Sequence, residues 1–351
     1  MPTIAKSSSV QDFARIAQNI EASVLGRLMY GQRELFHSNL LAWFFELPAL
    51  EGAADRVFRP LTRPGEGEKR KAYRELQHLD LVFKWPDCAP LVLENKVFAI
   101  PRQTQLEEYA LTVAAWPGSP AALVVLSTGK PSFEVPGWRY LSYEELANSI
   151  EQSLPASASY EVETMRRYAA LARDLHNLAV AIDVRSDDES VWLSADALQS
   201  VDSSQMRAAL SKARADRVAQ VLNQSIGGNR QGAKGDFSNS TPFVELLEDV
   251  KVDGMRVRLG WQLQGEQFRR VVVYLDPSHR TVEQCEKASR AHPEFFTFPE
   301  QMPQDHAGRK EFNHFGAMFV YRYVKTPNLT IAELKSAAQR IQDDVQRLGA
   351  S

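Results

Sequence analysis

Leu79-Asp80-Leu81-Val82-Phe83 and Leu91-Val92-Leu93-Glu94-Asn95-Lys96-Val97 are two apolar, β-prone runs, each broken by charge. Burying a carboxylate or an ammonium is costly unless it is paired or holds a metal. Side chains alternate along a strand, so Glu94 and Lys96 leave on the same face. Taken alone, an acid and a lysine two positions apart are most often a surface ion pair. Here continuous apolar flanks mark both runs as central strands. The link from Lys84 to Pro90, with Pro86-Asp87 and Pro90, suits a tight reversal. Consecutive strands would bring Asp80 beside Glu94 in a pocket for a hard divalent cation, with Lys96 next to it.

A helix beginning near Pro101-Arg102 follows and runs through Leu106, Ala110 and Val113. Gln105 and Tyr109 are four apart on it and share a face. Upstream, a second helix from about Gln32 to Phe45 carries Glu34, with His37 and Ser38 about one turn away.

In this order the residues resemble the PD-(D/E)xK nuclease superfamily. Its Asp, spacer, Glu-x-Lys pattern stands here as Asp80, thirteen intervening residues and Glu94-Asn95-Lys96. The Gln-x-x-x-Tyr signature of one branch is similar to Gln105-Leu-Glu-Glu-Tyr109. Glu34-Leu-Phe-His37-Ser38 looks like the Glu-x-x-His-Ser first-helix motif of an uncharacterised bacterial group in that superfamily. The proline of the "PD" half is replaced by Leu79. The resemblance covers residues 20 to 150 well and the remainder weakly.

The resemblance implies a restriction-endonuclease-like mixed sheet flanked by helices and a metal-dependent phosphodiesterase. Asp80 and Glu94 would ligate Mg²⁺, with Mn²⁺ as substitute, and the Asn95 backbone carbonyl would be a further ligand. Glu34 would be a third carboxylate for a second metal position. Lys96 would orient or activate the attacking water. Gln105 and Tyr109 would hold the scissile strand or the nucleophile. His37 and Ser38 would touch phosphate or support the ligands, a satisfied core histidine being the alternative. The implied activity is a nuclease, with DNA as the expected partner and substrate and endonucleolytic action in bacterial defence or mobile-element conflict. The competing readings are an RNase using the same site, a non-catalytic nucleic-acid-binding module, and a scaffold whose strand charges are plain ion pairs.

The 351 residues suit two domains, or one with a large extension. The sequence divides into a nuclease core over 1–185, a helical connector with a Gly-rich loop over 186–240, and a small α+β module over 241–351 that could bind substrate or a partner, or form a homodimer. Cys88 and Cys285 are the only cysteines and fall in no metal-binding spacing, which points to a reducing, cytoplasmic setting. No apolar run approaches membrane-spanning length. A net charge of −3 argues against a generic, strongly basic nucleic-acid binder but not against a nuclease with local basic surface.

Further expectations follow along the chain. Residues 10–30 have a helical period, and strands are expected near 73–84 and 91–98. Glu51 to Lys71 is locally basic and reads as a solvated loop, or else a flap facing DNA. Ala122–Ser127 is a buried strand, and Ser142-Tyr-Glu-Glu145 a capping box. A long helix is expected over 158–183. The loop from Ile226 to Asp236 lacks the context of a phosphate-binding loop and reads as a linker. Met255–Leu263 and Phe268–Leu275 form a hairpin carrying Arg256, Arg258, Arg269 and Arg270, a solvated face or a substrate platform.

Overall fold

The structure is a computed structural model and describes residues 3–29, 33–99, 101–118, 120–131, 133–226 and 232–350. The middle of the Gly-rich loop, residues 227–231, lies outside the described residues. The fold is mixed α and β. It falls into two compact units: residues 1–182 with 196–207, and residues 183–195 with 208–351. The expected connector over 186–240 is therefore divided between them.

The first unit opens with α1 (Thr3–Ala22), α2 (Val24–Met29), α3 (Arg33–Glu46) and α4 (Glu51–Phe58). Next come β1 (Lys71–Leu76), β2 (Leu79–Lys84), β3 (Leu91–Lys96), α5 (Gln103–Ala114), β4 (Ala122–Ser127), β5 (Trp138–Ser142), α6 (Tyr143–Ser153) and α7 (Tyr160–Ala181). The five strands lie in sequence order. β1 to β3 run antiparallel as a meander, and β4 and β5 are added in parallel. The parallel step from β3 to β4 needs a crossover, which α5 supplies.

Both faces of this sheet are covered, so its central strands are apolar on both sides. On one face Phe45 of α3 stacks on Phe83 at 4.4 Å, with Phe58 and Trp85 against them. On the other, Val113, Tyr109 and Ala110 of α5 pack on Val82, Val92 and Leu123.

The expected single strand over 73–84 is a tight hairpin. Gln77 and His78 take positive φ (53° and 70°) between the paired residues Leu76 and Leu79. Glu75 is also left-handed at 55°. Such turns favour Asn or Gly, so Gln77-His78 does not read as a turn in the sequence. Trp116 Nε1 donates to Gln77 Oε1 at 2.9 Å and ties the turn to the residues just beyond α5. Strain of this kind clusters at functional sites, and here it directly precedes Asp80.

The expected basic loop over 51–71 is another difference. Its first part is α4, and its arginines are held internally. Arg56 donates to Ser153 O, Arg59 bridges Asp55 and Asp87, and Arg70 pairs with Asp55 and donates to Phe45 O. The capping box is present: Ser142 accepts from Glu145 N, and the Glu145 side chain accepts from Ser142 N. Ser142→Ala is expected to lower stability by about 1 kcal/mol in denaturant unfolding.

α8 (Ala195–Gln199) belongs to the first unit but for Ala195, α9 (Ser204–Ser225) passes from the first into the second, and a six-stranded antiparallel sheet follows in the second. Its strands are β6 (Lys234–Ser238), β7 (Thr241–Val252), β8 (Met255–Gln264), β9 (Gln267–Tyr274), β10 (Asn313–Phe315) and β11 (Phe319–Lys325), ordered β10-β11-β9-β8-β7-β6. The helices are α10 (Val282–Ala291) and α11 (Ile331–Ala350). Trp261, Phe268, Val272 and Val324 of the inner face pack with Leu334, Ala338 and Ile341 of α11. Lys234, read as part of a linker, opens β6. Of the hairpin arginines, Arg270 is 1% exposed on the inner face and donates to Gly260 O and Thr297 O.

Candidate functional site

The charged residues of β2 and β3 converge on the face covered by α5. Val82 pairs with Val92 and Leu81 with Leu93, so continuation of this register sets Asp80 opposite Glu94. The regular pairing of the two strands ends at Leu81–Leu93. Beyond it, Asp80 Oδ2 accepts from the Asn95 backbone N–H at 2.8 Å. A strand residue sends its N–H and C=O to the same side, so the Asn95 carbonyl also points toward β2.

Glu94 is 1% exposed. Its Oε1 takes a hydrogen bond from Gln105 Nε2 at 3.2 Å and an ion pair from Lys96 Nζ at 2.8 Å. Gln105 Nε2 also donates to the Tyr109 hydroxyl at 3.0 Å, so the Gln-x-x-x-Tyr pair is wired to Glu94. The other Glu94 oxygen, Oε2, is buried and meets no nitrogen donor. Burial, with the Asp80 charge adding to it, pushes the Glu94 carboxyl up to about 8 against the pull of Lys96. Burial likewise raises Asp80, opposed by the Asn95 N–H, by Lys96 and by a side-chain hydrogen bond with Glu94. Burial works against the Lys96 ammonium, but Glu94 and then Glu34 outweigh it and hold Lys96 up at about 12.

Glu34 lies in the first turn of α3 and is partly exposed. It joins the cluster through Lys96, at 3.7 Å. Among the described residues no three His, Cys, Asp or Glu side chains are grouped to hold a metal ion. The donors that fit a hard cation are thus Asp80, Glu94 and the Asn95 carbonyl, with Glu34 one lysine away. Two observations favour that fit: a buried carboxylate oxygen without a donor, and two neighbouring acids both raised by burial. A divalent cation would supply the missing positive charge.

His37 and Ser38 are placed beneath the site, 0% and 3% exposed. His37 Nδ1 shares a hydrogen bond with the Tyr168 hydroxyl at 3.1 Å, and its ring packs edge-on against Tyr143. Burial drives its pKa down to about 3, so the imidazole is neutral. Ser38 Oγ donates to the Glu34 carbonyl at 3.1 Å. Neither side chain is open to a substrate; both belong to the packing under α3.

Sequence reasoning missed the side chain of Asn95 and all of Tyr143. Asn95 Nδ2 donates to the Glu34 carbonyl at 2.9 Å, and its Oδ1 accepts from the Tyr143 hydroxyl. One amide therefore fastens the start of α3 to β3 and sets where Glu34 stands. The alternation of β3 carried the signal: Asn95 must face opposite to Glu94 and Lys96, into the helical layer, where a buried amide needs partners.

Compared with protein-family models, with curated proteins and with solved structures, the chain has no match. Among the described residues no helix is long and apolar enough to cross a membrane.

Proposed function

We propose that the first unit is a metal-dependent nuclease of restriction-endonuclease-like fold that hydrolyses phosphodiester bonds, with DNA as substrate. The observation that carries this reading is the Glu94 carboxylate. It is buried, faces Asp80, is held on one oxygen by Lys96 and Gln105, and is left without a donor on the other. An ion pair built for stability alone would satisfy both oxygens.

In this reading Asp80, Glu94 and the Asn95 carbonyl hold Mg²⁺ or Mn²⁺. When bound, the ion would supply Lewis acidity at that position. Lys96, kept protonated by its acidic neighbours, stands beside that position as a fixed cation for charge that develops on the phosphoryl group. Glu34 sets the outer position of the Lys96 ammonium. Gln105 orients Glu94 and is itself oriented by Tyr109.

The test is a digestion panel of duplex DNA, single-stranded DNA and RNA with Mg²⁺, Mn²⁺ or EDTA. The expected result is divalent-dependent cleavage of DNA that EDTA stops. Cleavage of RNA alone would move the substrate assignment to an RNase. No divalent-dependent cleavage of any of the three would sink the proposal.

A further inference from the structure

On the outer face of the second unit's sheet, strand register lays out a patch of cations, amides and aromatic rings, with Glu245 hydrogen-bonded to Gln262 at its edge. Gln264, Gln267 and Lys325 form one row across β8, β9 and β11, and Gln262, Arg269 and Tyr323 form the next. Tyr321 and then Phe319 continue along β11, and Phe315 of β10 stands opposite Phe319. Two-residue steps put Lys325, Tyr323, Tyr321 and Phe319 on one face. Successive rings from Tyr323 to Phe315 have centroids 6.3, 6.2 and 6.1 Å apart. Phe315 is 71% exposed.

Arg269 stands at the cationic end of this ladder and is half-buried. Its Nε and Nη2 donate to Gln267 Oε1 at 3.2 and 2.7 Å, and Nη1 donates to Gln262 Oε1 at 2.8 Å. The guanidinium lies 4.7 Å from the centre of the Tyr321 ring. No carboxylate pairs with it among the described residues. Arg258, on the same face, is paired with Asp249 at 2.6 Å. Arg269 is thus oriented by neutral amides and a ring without being neutralised, a costly arrangement for a partly desolvated charge. Beside it opens a cavity of about 510 Å³, lined among others by Asn239, Thr241, Gln264, Gln267 and the exposed Lys325, with Glu266 as its single acid.

We infer that this face binds single-stranded nucleic acid. A backbone phosphate sits in the cavity against Arg269 and Lys325, and successive unpaired bases lie against Tyr323, Tyr321 and Phe319. Spacing selects the single strand. Two residues of strand advance roughly 6.6 Å, about twice the ~3.4 Å rise per nucleotide of a duplex strand. The ladder therefore matches bases that are unstacked from one another, and a duplex hides the base faces that aromatic rings take. The binding surface is separate from the Glu94 site and does not depend on the nuclease reading.

The test is fluorescence anisotropy of the full chain with a labelled oligothymidylate, in EDTA so that divalent chemistry is absent. Binding that weakens with salt is expected. Tyr323→Ala should reduce affinity by about 5- to 150-fold, the range for loss of one base stack. Arg269→Gln and Lys325→Gln should each weaken binding and flatten its salt dependence. Should Arg269→Gln melt early, Tyr323→Ala and Lys325→Gln probe the same surface from less buried positions. Absence of oligothymidylate binding overturns the inference, even where inorganic phosphate binds alone. So does equal affinity for duplex, or affinity that all three variants leave unchanged.

Discussion

Glu94→Gln is expected to end divalent-dependent cleavage and, in metal-free protein at pH 7, to raise stability. The folded carboxyl holds its proton up to about pH 8, because burial and Asp80 oppose its charge. In the unfolded chain the same group ionises near its ordinary value of 4.5. At pH 7 the unfolded state is therefore favoured by ionisation, by about 3 kcal/mol. Gln copies the protonated form and removes that term. Below pH 4.5 both states are protonated and the variant's advantage disappears; between pH 4.5 and 8 it grows with pH. Thermal melts in EDTA at pH 4 and pH 7 check this, with a shift of roughly 6–12 °C expected at the higher pH only. Mg²⁺ or Mn²⁺ should raise the melting temperature of the wild type and leave that of Glu94→Gln unmoved, because a cation competes with the proton for the same carboxylate. An equal shift at both pH values would show that Glu94 is ionised in the metal-free fold.

Lys96→Met is expected to lower the cleavage rate by roughly a hundred- to a thousandfold, the scale of losing one fixed group that stabilises developing charge. Lys96 is also the cation that draws the Glu94 pKa down. Its removal should move the rising limb of the pH–rate profile to higher pH, and more divalent metal should restore only that displacement. Lys96→Arg should not rescue the rate, since a planar guanidinium cannot take the place of a compact ammonium between Glu94 and Glu34. Single-turnover rates across pH separate the two effects. A wild-type rate in Lys96→Met would remove the lysine from the proposed chemistry.

How much of this was legible can be judged residue by residue. The alternation of β3 was enough to put Glu94 and Lys96 together, and the antiparallel link was enough to bring Asp80 to them. The helix after that strand placed Gln105 and Tyr109 on one face, toward a scissile strand or nucleophile; that Gln105 donates to Glu94 and Tyr109 is visible only in the structure. What could not be read was whatever depends on distant partners. The β1–β2 turn uses Gln77 and His78 at positive φ, where composition suggests continuous strand. The arginines of residues 56–70 look like a basic surface until their acidic and carbonyl partners are known. His37 resembles a site residue in sequence, but its surroundings are Tyr143 and Tyr168, more than a hundred positions later. In the second unit, β6 was missed because Lys234-Gly235-Asp236 has the composition of a linker; its strand character comes from pairing with β7, itself paired to β8.

The Asn95 latch bears on when the candidate site can form during synthesis. β1 to β3, with every acidic group of the cluster, lie before residue 97, but the hydroxyl that meets the Asn95 amide is on Tyr143 and the one that meets His37 is on Tyr168. A nascent chain that has released only the first three strands holds the acids, the lysine and the Asn95–Glu34 bond, yet lacks the hydroxyls that complete the partners of Asn95 and His37. The hydrogen-bond set beneath the cluster is therefore complete only once α7 has left the ribosome, so the emerging polypeptide assembles this support late.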